Sequence, residues 1–287
     1  MEILRTIDSV RQWVRAQRAQ GRPIHFVPTM GYFHEGHLSL MRRARDDDGA
    51  VIVSIFVNPL QFGPNEDLER YPRDFERDRQ MAQSVGVDAI FAPEAAEMYP
   101  TGYQTEVRVK ELSKPLCGRS RPGHFEGVAT VVLKLFNIVT PDRAYFGMKD
   151  YQQLRVIQQL VRDLNLPVEI VPCPIVREAD GLAMSSRNVY LSPDDRTAAT
   201  VVYRSLQWAQ AQHAAGERNA HVLCDGIYRQ IAAEPLARID YVEIVDAETL
   251  QPIERIERPA LVAIAVFFGK ARLIDNCLLY QLRCQSP

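Results

Sequence analysis

Ile24-His25-Phe26-Val27-Pro28-Thr29-Met30-Gly31-Tyr32-Phe33-His34-Glu35-Gly36-His37-Leu38-Ser39-Leu40-Met41 carries a short apolar run, a glycine-containing turn and the start of a helix in eighteen consecutive residues. Ile24–Val27 is a near-continuous apolar run, as expected of a strand buried on both faces. His37–Met41 opens a helix-like segment. A strand feeding a turn that feeds a helix brings free backbone N–H groups and the positive end of the helix dipole to one place, which suits an anion. His34 and His37, three residues apart, add ring donors to the same place.

The same alternation continues outward. Ala50–Val57, Ala89–Ala92, Ala144–Phe146 and Val168–Val171 are further candidate strands. Between them Val128, Val131, Val132, Leu135 and Ile138 keep one helical face apolar, as do Leu154, Ile157, Val161 and Leu164. Strand–helix alternation predicts an α/β fold, a Rossmann-like doubly wound parallel sheet, over 1–175. In such sheets ligands sit beyond the carboxyl ends of the strands, where Pro28–His37 falls. Pro172-Cys173-Pro174 is expected to interrupt regular pairing and mark a boundary. The remainder, 176–287, reads as a smaller α+β domain. Ser192-Pro193-Asp194-Asp195 is a helix start, predicting one long helix to about His213 that ends near Gly216. A second helix is expected over Ala220–Ala232, with strands around Tyr241–Val245 and Leu261–Phe268.

Composition narrows the function classes. A chain of 287 residues with a net charge of −2 has no global basic field, so nucleic acid is disfavoured as a partner. No apolar stretch approaches the ~20 residues that cross a bilayer, and the N-terminus lacks a signal-peptide pattern. Cys117, Cys173, Cys224, Cys277 and Cys284 are widely spaced with no CxxC pair, the pattern of reduced thiols in a cytoplasmic protein.

Four polar clusters carry candidate chemistry. His34-Glu35-Gly36-His37 reads as a phosphate site; a zinc site is the weaker alternative, because two histidines supply two ligands and no cysteine is near. Asn58 and Gln61, just past the strand Ala50–Val57, are neutral amides able to bind a hydroxyl or carboxylate, though an Asn-Pro turn explains them as well. Gly147-Met148-Lys149-Asp150, with Gln153 a turn later, is another strand-to-helix junction offering a close backbone approach and a point charge; Asp150 alternatively caps the helix. Met184-Ser185-Ser186-Arg187 combines hydroxyls and a guanidinium into an anion clamp, or is a capped turn. Asp46-Asp47-Asp48 reads as a solvated helix end ahead of a magnesium site. Arg70, Arg73, Arg77 and Arg79, interleaved with Glu69, Asp74, Glu76 and Asp78, read as an exposed helix face. His25 is assigned to a strand, and Arg119–Phe125 to a turn or a substrate-facing loop.

His-Glu-Gly-His matches the His-x-Gly-His signature of adenylyl-transferring enzymes, and Met-Ser-Ser-Arg is similar to their second signature. Taken with Val53–Gly63, Leu116–Asn137, Tyr145–Gln153, Val176–Asn188 and Ala271–Asn276, the chain resembles the pantoate–β-alanine ligase (pantothenate synthetase) family from Phe26 to about Asn276. The resemblance implies a smaller C-terminal lid domain, a homodimer, and ATP-dependent condensation of pantoate with β-alanine through a pantoyl adenylate, releasing AMP and pyrophosphate with Mg²⁺. It implies that Met30, Gly31, Tyr32, Phe33, His34, Glu35, Gly36 and His37 border ATP, with His37 as general acid and His34 holding phosphates. Gly147, Met148, Lys149 and Asp150 would contact ATP, Lys149 as a catalytic charge on the phosphates; Val176 would frame the adenosine, and Met184, Ser185, Ser186 and Arg187 would close the triphosphate site. Asn58, Gln61 and Gln153 would serve pantoate. No residue is assigned to the Mg²⁺. Phe33 departs from the family pattern, where a smaller aliphatic residue is common. Two rivals remain at this stage: a nucleotidylyltransferase that moves AMP onto a phosphorylated acceptor, and a non-catalytic nucleotide-binding module.

Overall fold

The computed structural model describes residues 1–64 and 66–279, so Cys284 lies outside the described residues. The chain forms two compact units: Met1–Ser113, Arg121–Met148 and Gln153–Val176 make the first, while Lys114–Ser120, Lys149–Gln152 and the chain from Arg177 onward make the second.

The first unit is built on six strands, β1 (Glu2–Leu4), β2 (Ile24–Thr29), β3 (Ala50–Ile55), β4 (Ala89–Phe91), β5 (Arg143–Gly147) and β6 (Glu169–Cys173). They lie in the order β1-β4-β3-β2-β5-β6, and every neighbouring pair is parallel. The helices are α1 (Ile7–Ala19), α2 (Glu35–Asp46), α3 (Phe75–Ser84), the short α4 (Ala95–Met98), α6 (His124–Val139) and α7 (Tyr151–Asp163), the last beginning in the second unit; the short α5 (Cys117–Ser120) lies wholly there. Ile24, Phe26, Val27 and Ala50–Val53 are fully buried, which is why these strands read as unbroken apolar runs. From β2 the chain winds outward through β3 and β4, then returns to the other side of β2 with β5 and β6. The order therefore reverses between β2 and β5, the place where open α/β sheets bind ligands.

Two expectations change here. Pro172 does not interrupt pairing: β6 runs through it, in register with Phe146 of β5. β6 is an edge strand, so the missing proline N–H faces no partner. β3 also stops at Ile55, two residues early, because Asn58 caps the 3₁₀ turn Pro59–Gln61.

The second unit contains α8 (Pro193–Ala198), α9 (Thr200–Ala214), α10 (Ala220–Ala232) and an antiparallel sheet β7-β8-β9 (Ala237–Asp246, Ala260–Phe268, Ala271–Leu279). The expected single helix from Pro193 is broken at Ala199. Thr197 Oγ1 donates to Pro193 O at 3.0 Å and Thr200 Oγ1 to Thr197 O at 2.8 Å, and such back-bonding hydroxyls bend a helix. Gly216, at φ +109°, ends α9 as expected. Leu206, Leu223, Ile227, Ile264 and Phe268 meet in the core of this unit.

Candidate active site

The turn after β2 is set by backbone conformation first. Gly31 and Tyr32 have φ of +86° and +53°. The left-handed region costs a side chain such as that of Tyr32 about 1–2 kcal/mol, so the turn requires compensation. Thr29 Oγ1 accepts the Gly31 N–H at 3.1 Å while donating to Ser54 O at 2.6 Å. The Tyr32 and Phe33 N–H groups donate to the two oxygens of Asp78 at 2.6 Å each. Asp78 is therefore not part of an exposed face: it is 1% exposed, on the inner side of α3. The alternating charges around it conceal one inward position. Burial pushes its carboxyl up, against the opposing pull of the two amides and Arg77. Phe33 has no exposed surface and packs in the core with Leu38, Met41 and Val53.

His34 is the N-cap of α2, an unusual residue in that place. The Gly36 N–H donates to His34 Nδ1 at 3.1 Å, and the His34 N–H points at His37 Nδ1 at 3.4 Å. Both rings thus use the Nδ1 lone pair for capping, so the hydrogen of each neutral imidazole is assigned to Nε2. The ring centroids are 4.1 Å apart. Glu35 pairs with Arg42 across two turns of the helix.

Beyond β3, the amide pair is organised by residues that the sequence did not single out. Asn58 Nδ2 donates to Gln61 Oε1 at 3.2 Å and to Gly127 O at 3.1 Å, while Asn58 Oδ1 accepts from the Tyr99 hydroxyl at 2.8 Å and from Leu60 N–H at 3.3 Å. Gln61 Nε2 lies 3.1 Å from Met30 Sδ, a weak acceptor. A Cβ on Gly127 would stand 2.3 Å from Leu60 O, so only glycine lets α6 approach this turn. Gln61 O accepts from Arg121 at 3.3 Å and lies 2.9 Å from His124 Nδ1. Arg119–Phe125 supplies the end of α5, a turn with Gly123 at φ +84°, and the start of α6. Gln153 and Val176 are half-buried in the same unit, as are Gly147 and Met148. Asp150 is exposed at the end of the 3₁₀ turn Met148–Asp150.

The second unit holds the other cluster. Lys149 is half-buried, and its carbonyl accepts from Asn276 Nδ2 of β9 at 2.8 Å. Ser185 caps the 3₁₀ helix Ser186–Tyr190, accepting the Arg187 N–H at 3.2 Å; Ser186 is buried and Met184 half-buried. The loop is anchored beneath by Arg177, which meets both oxygens of Asp275 at 2.6 and 3.0 Å, and by Asn188, which donates to Glu178 at 2.9 Å. Among the described residues no group of three or more His, Cys, Asp or Glu is placed to hold a metal. Asp47 of the acidic triplet instead accepts the Tyr145 hydroxyl at 2.7 Å and pairs with Arg43 and Arg143. His25 lies in β2, with Nδ1 2.8 Å from Ala44 O.

The family model described as pantoate-beta-alanine ligase matches residues 2–278. The chain belongs to the pantoate–beta-alanine ligase family. It is 58% identical to the pantothenate synthetase of Thermotoga petrophila, covering 97% of this chain and 100% of the relative. To that of Moorella thermoacetica it is 59% identical, over 97% and 99%. The crystal structure of pantothenate synthetase from Thermus thermophilus superposes with a TM-score of 0.93 at 48% identity, covering 98% and 100% of the two chains. The Francisella tularensis pantoate-beta-alanine ligase, solved in complex with beta-gamma ATP and beta-alanine, superposes at 0.79 and 36% identity, over 97% of each chain. The doubly wound sheet and the separate small antiparallel sheet are thus those of the family.

Proposed function

We propose that His34, His37, Lys149, Ser185, Ser186 and Arg187 act on the phosphates of ATP, and that Gln61, Asn58 and Gln153 serve pantoate, in the reaction of the family. That reaction is the ATP-dependent condensation of pantoate with β-alanine to pantothenate, with AMP and pyrophosphate released. The observation that carries the reading is the shared use of Nδ1 by His34 and His37 at the start of α2, which commits both rings to present Nε2–H as donor.

A carboxylate does not acylate an amine at neutral pH. A pantoate carboxylate oxygen attacks the α-phosphorus, the bond from that phosphorus to the bridging oxygen breaks, and pyrophosphate leaves. Donors and cations at the phosphates offset charge that grows in this step. His34 caps α2 and Ser185 caps the 3₁₀ helix Ser186–Tyr190, which holds the backbone of those two segments in place as the charge moves. The free amine of β-alanine then attacks the acyl carbon, forming the amide and expelling AMP, and the surplus amine proton passes to solvent. No covalent enzyme intermediate is required, so Ser185 and Ser186 act as hydrogen-bond donors. The remaining members of the segments, Met30–Tyr32, Glu35, Gly36, Gly147, Met148, Asp150, Val176 and Met184, border the nucleotide, while Phe33, with no exposed surface, supports the turn from the core.

Mg²⁺ enters as the MgATP substrate, where it neutralises phosphate charge. The dispersed cysteines suit a reducing cytoplasm, and the family resemblance supports a homodimer and a lid role for the second unit. AMP release is measured with ATP, Mg²⁺, pantoate and β-alanine, omitting each in turn. Full dependence on all four is expected; AMP formation that is indifferent to pantoate overturns the reading.

A further inference from the structure

We infer that Asp78 is a positioning residue for adenylate formation: its carboxylate fills the anion-binding concavity of the Gly31–Phe33 turn and thereby sets where His34 and His37 stand. The inference rests on the reading of those histidines as phosphate donors. Successive backbone N–H groups in a left-handed turn converge on one point and make a nest for an anion. Gly31 and Tyr32 have the required positive φ, and the N–H groups of Tyr32 and Phe33 do converge. The anion they receive belongs to the protein: both Asp78 oxygens lie at 2.6 Å, one per amide.

Four further observations show that this is a built site. Asp78 is 1% exposed, so its charge is withheld from water and committed to the turn. A Cβ on Gly31 would stand 3.0 Å from Asp78 Oδ2 and 3.0 Å from Ile55 Cγ2, so the turn is already pressed against the carboxylate. Arg77, next to it on α3, places its guanidinium 4.9 Å from the centre of the Tyr32 ring and 4.0 Å from Asp78 Oδ1. Asp74 caps the same helix by accepting the Arg77 N–H at 3.1 Å, which fixes the first turn from which Asp78 projects.

The consequence is a division of labour within one loop. The amides of Tyr32 and Phe33 are taken, so an incoming phosphate does not use them. It meets the histidine rings at the start of α2, whose position follows from the turn behind them. A displacement of about 1 Å in such a group lowers a rate by roughly 10²-fold.

The test uses the full chain and reads pyrophosphate release from ATP and pantoate. Asp78→Ala removes both acceptors; should it not fold, Asp78→Asn, of equal volume and with one acceptor, carries the measurement. Circular dichroism and Tm establish folding first. The expected result is a fall in kcat/KM for ATP of about 10²-fold for the alanine variant and about 10-fold for the asparagine variant, with pantoate KM within twofold. In a His34→Ala/His37→Ala background the same substitution costs less than threefold, because its effect passes through the two histidines. A folded variant with kcat/KM for ATP within threefold of the wild type overturns the inference, as does an equal loss in both backgrounds. His34→Ala alone separates the two readings. If it is impaired while the Asp78 variants are not, only the role of Asp78 falls; if it is unimpaired, the phosphate reading of the histidines falls and the inference with it.

Discussion

Gln61 can present its carboxamide in one sense only. Its oxygen is held by the Asn58 amide at 3.2 Å, and Asn58 is in turn held by Tyr99 and Gly127. The nitrogen end is left facing the Met30 thioether at 3.1 Å, with hydrogen-bonding capacity for an anionic substrate. A hydrogen bond to a charged group is worth ~1.5–3 kcal/mol. Gln61→Ala should therefore raise the pantoate KM by roughly 10- to 100-fold while the ATP KM stays within twofold. Steady-state kinetics with each substrate varied checks it, and an unchanged pantoate KM removes Gln61 from the pocket. Glu66 tests the same neighbourhood through pH. Burial raises its carboxyl pKa, but Arg121, bonded to both oxygens at 2.5 and 2.7 Å, wins and holds it below the usual range. A depressed folded pKa contributes stability that is present above the unfolded value of about 4.3 and lost as pH falls through the folded one. Glu66→Gln should thus lower Tm at pH 7, and the difference from the wild type should shrink as pH falls below about 4.3 and vanish once it is below the depressed folded pKa. A gap that persists in acid assigns the effect to packing instead.

At the scale of elements, Gly127 decides how near α6 comes to the turn that bears Asn58 and Gln61. The atoms a Cβ would strike are backbone, Leu60 O at 2.3 Å and Gln61 N at 2.6 Å, and cannot rotate away. Gly127→Ala should cost about 1–3 kcal/mol of stability and raise the pantoate KM, read by thermal melts and kinetics; a normal KM with a lowered Tm confines the glycine to packing. The sequence carried a signal for it: a glycine inside an apolar helix weakens that helix and needs a packing reason. Strand–turn–helix units were legible for a similar reason, since buried parallel strands show as nearly continuous apolar runs and α6 and α7 as periodic ones. Asp78 was not, because one inward carboxylate among Arg77, Arg79 and Glu76 looks like any solvated face until its two amide partners are placed. Tyr99 was equally hidden, lying 41 residues from the Asn58 it orients. The break at Ala199 depends on where two threonine hydroxyls bond, and Pro172 on which strand is last in the sheet. Both are settled by three-dimensional neighbours, not by local preference.

At the scale of the whole molecule, the proposed phosphate groups are divided between the units, His34 and His37 in the first, Lys149 and Ser185–Arg187 in the second. The tie from the Asn276 amide to the Lys149 carbonyl and the Arg177–Asp275 pair brace the backbone that carries the second set against β9, in the sheet of its own unit. Two routes to an activated carboxylate remain chemically distinct: attack at the α-phosphorus gives an acyl adenylate, attack at the γ-phosphorus an acyl phosphate. Oxygen labelling separates them. Pantoate carrying ¹⁸O in its carboxylate keeps one label in the new amide carbonyl and surrenders the other with the leaving group. Attack at the α-phosphorus therefore places a single ¹⁸O in AMP and none in pyrophosphate, as mass spectrometry of the products from the complete reaction should show. Label in orthophosphate, with ADP formed in place of AMP, would mean that the carboxylate is activated at the far end of the triphosphate, and the roles given to His34, His37 and Lys149 would have to be redrawn around that phosphorus.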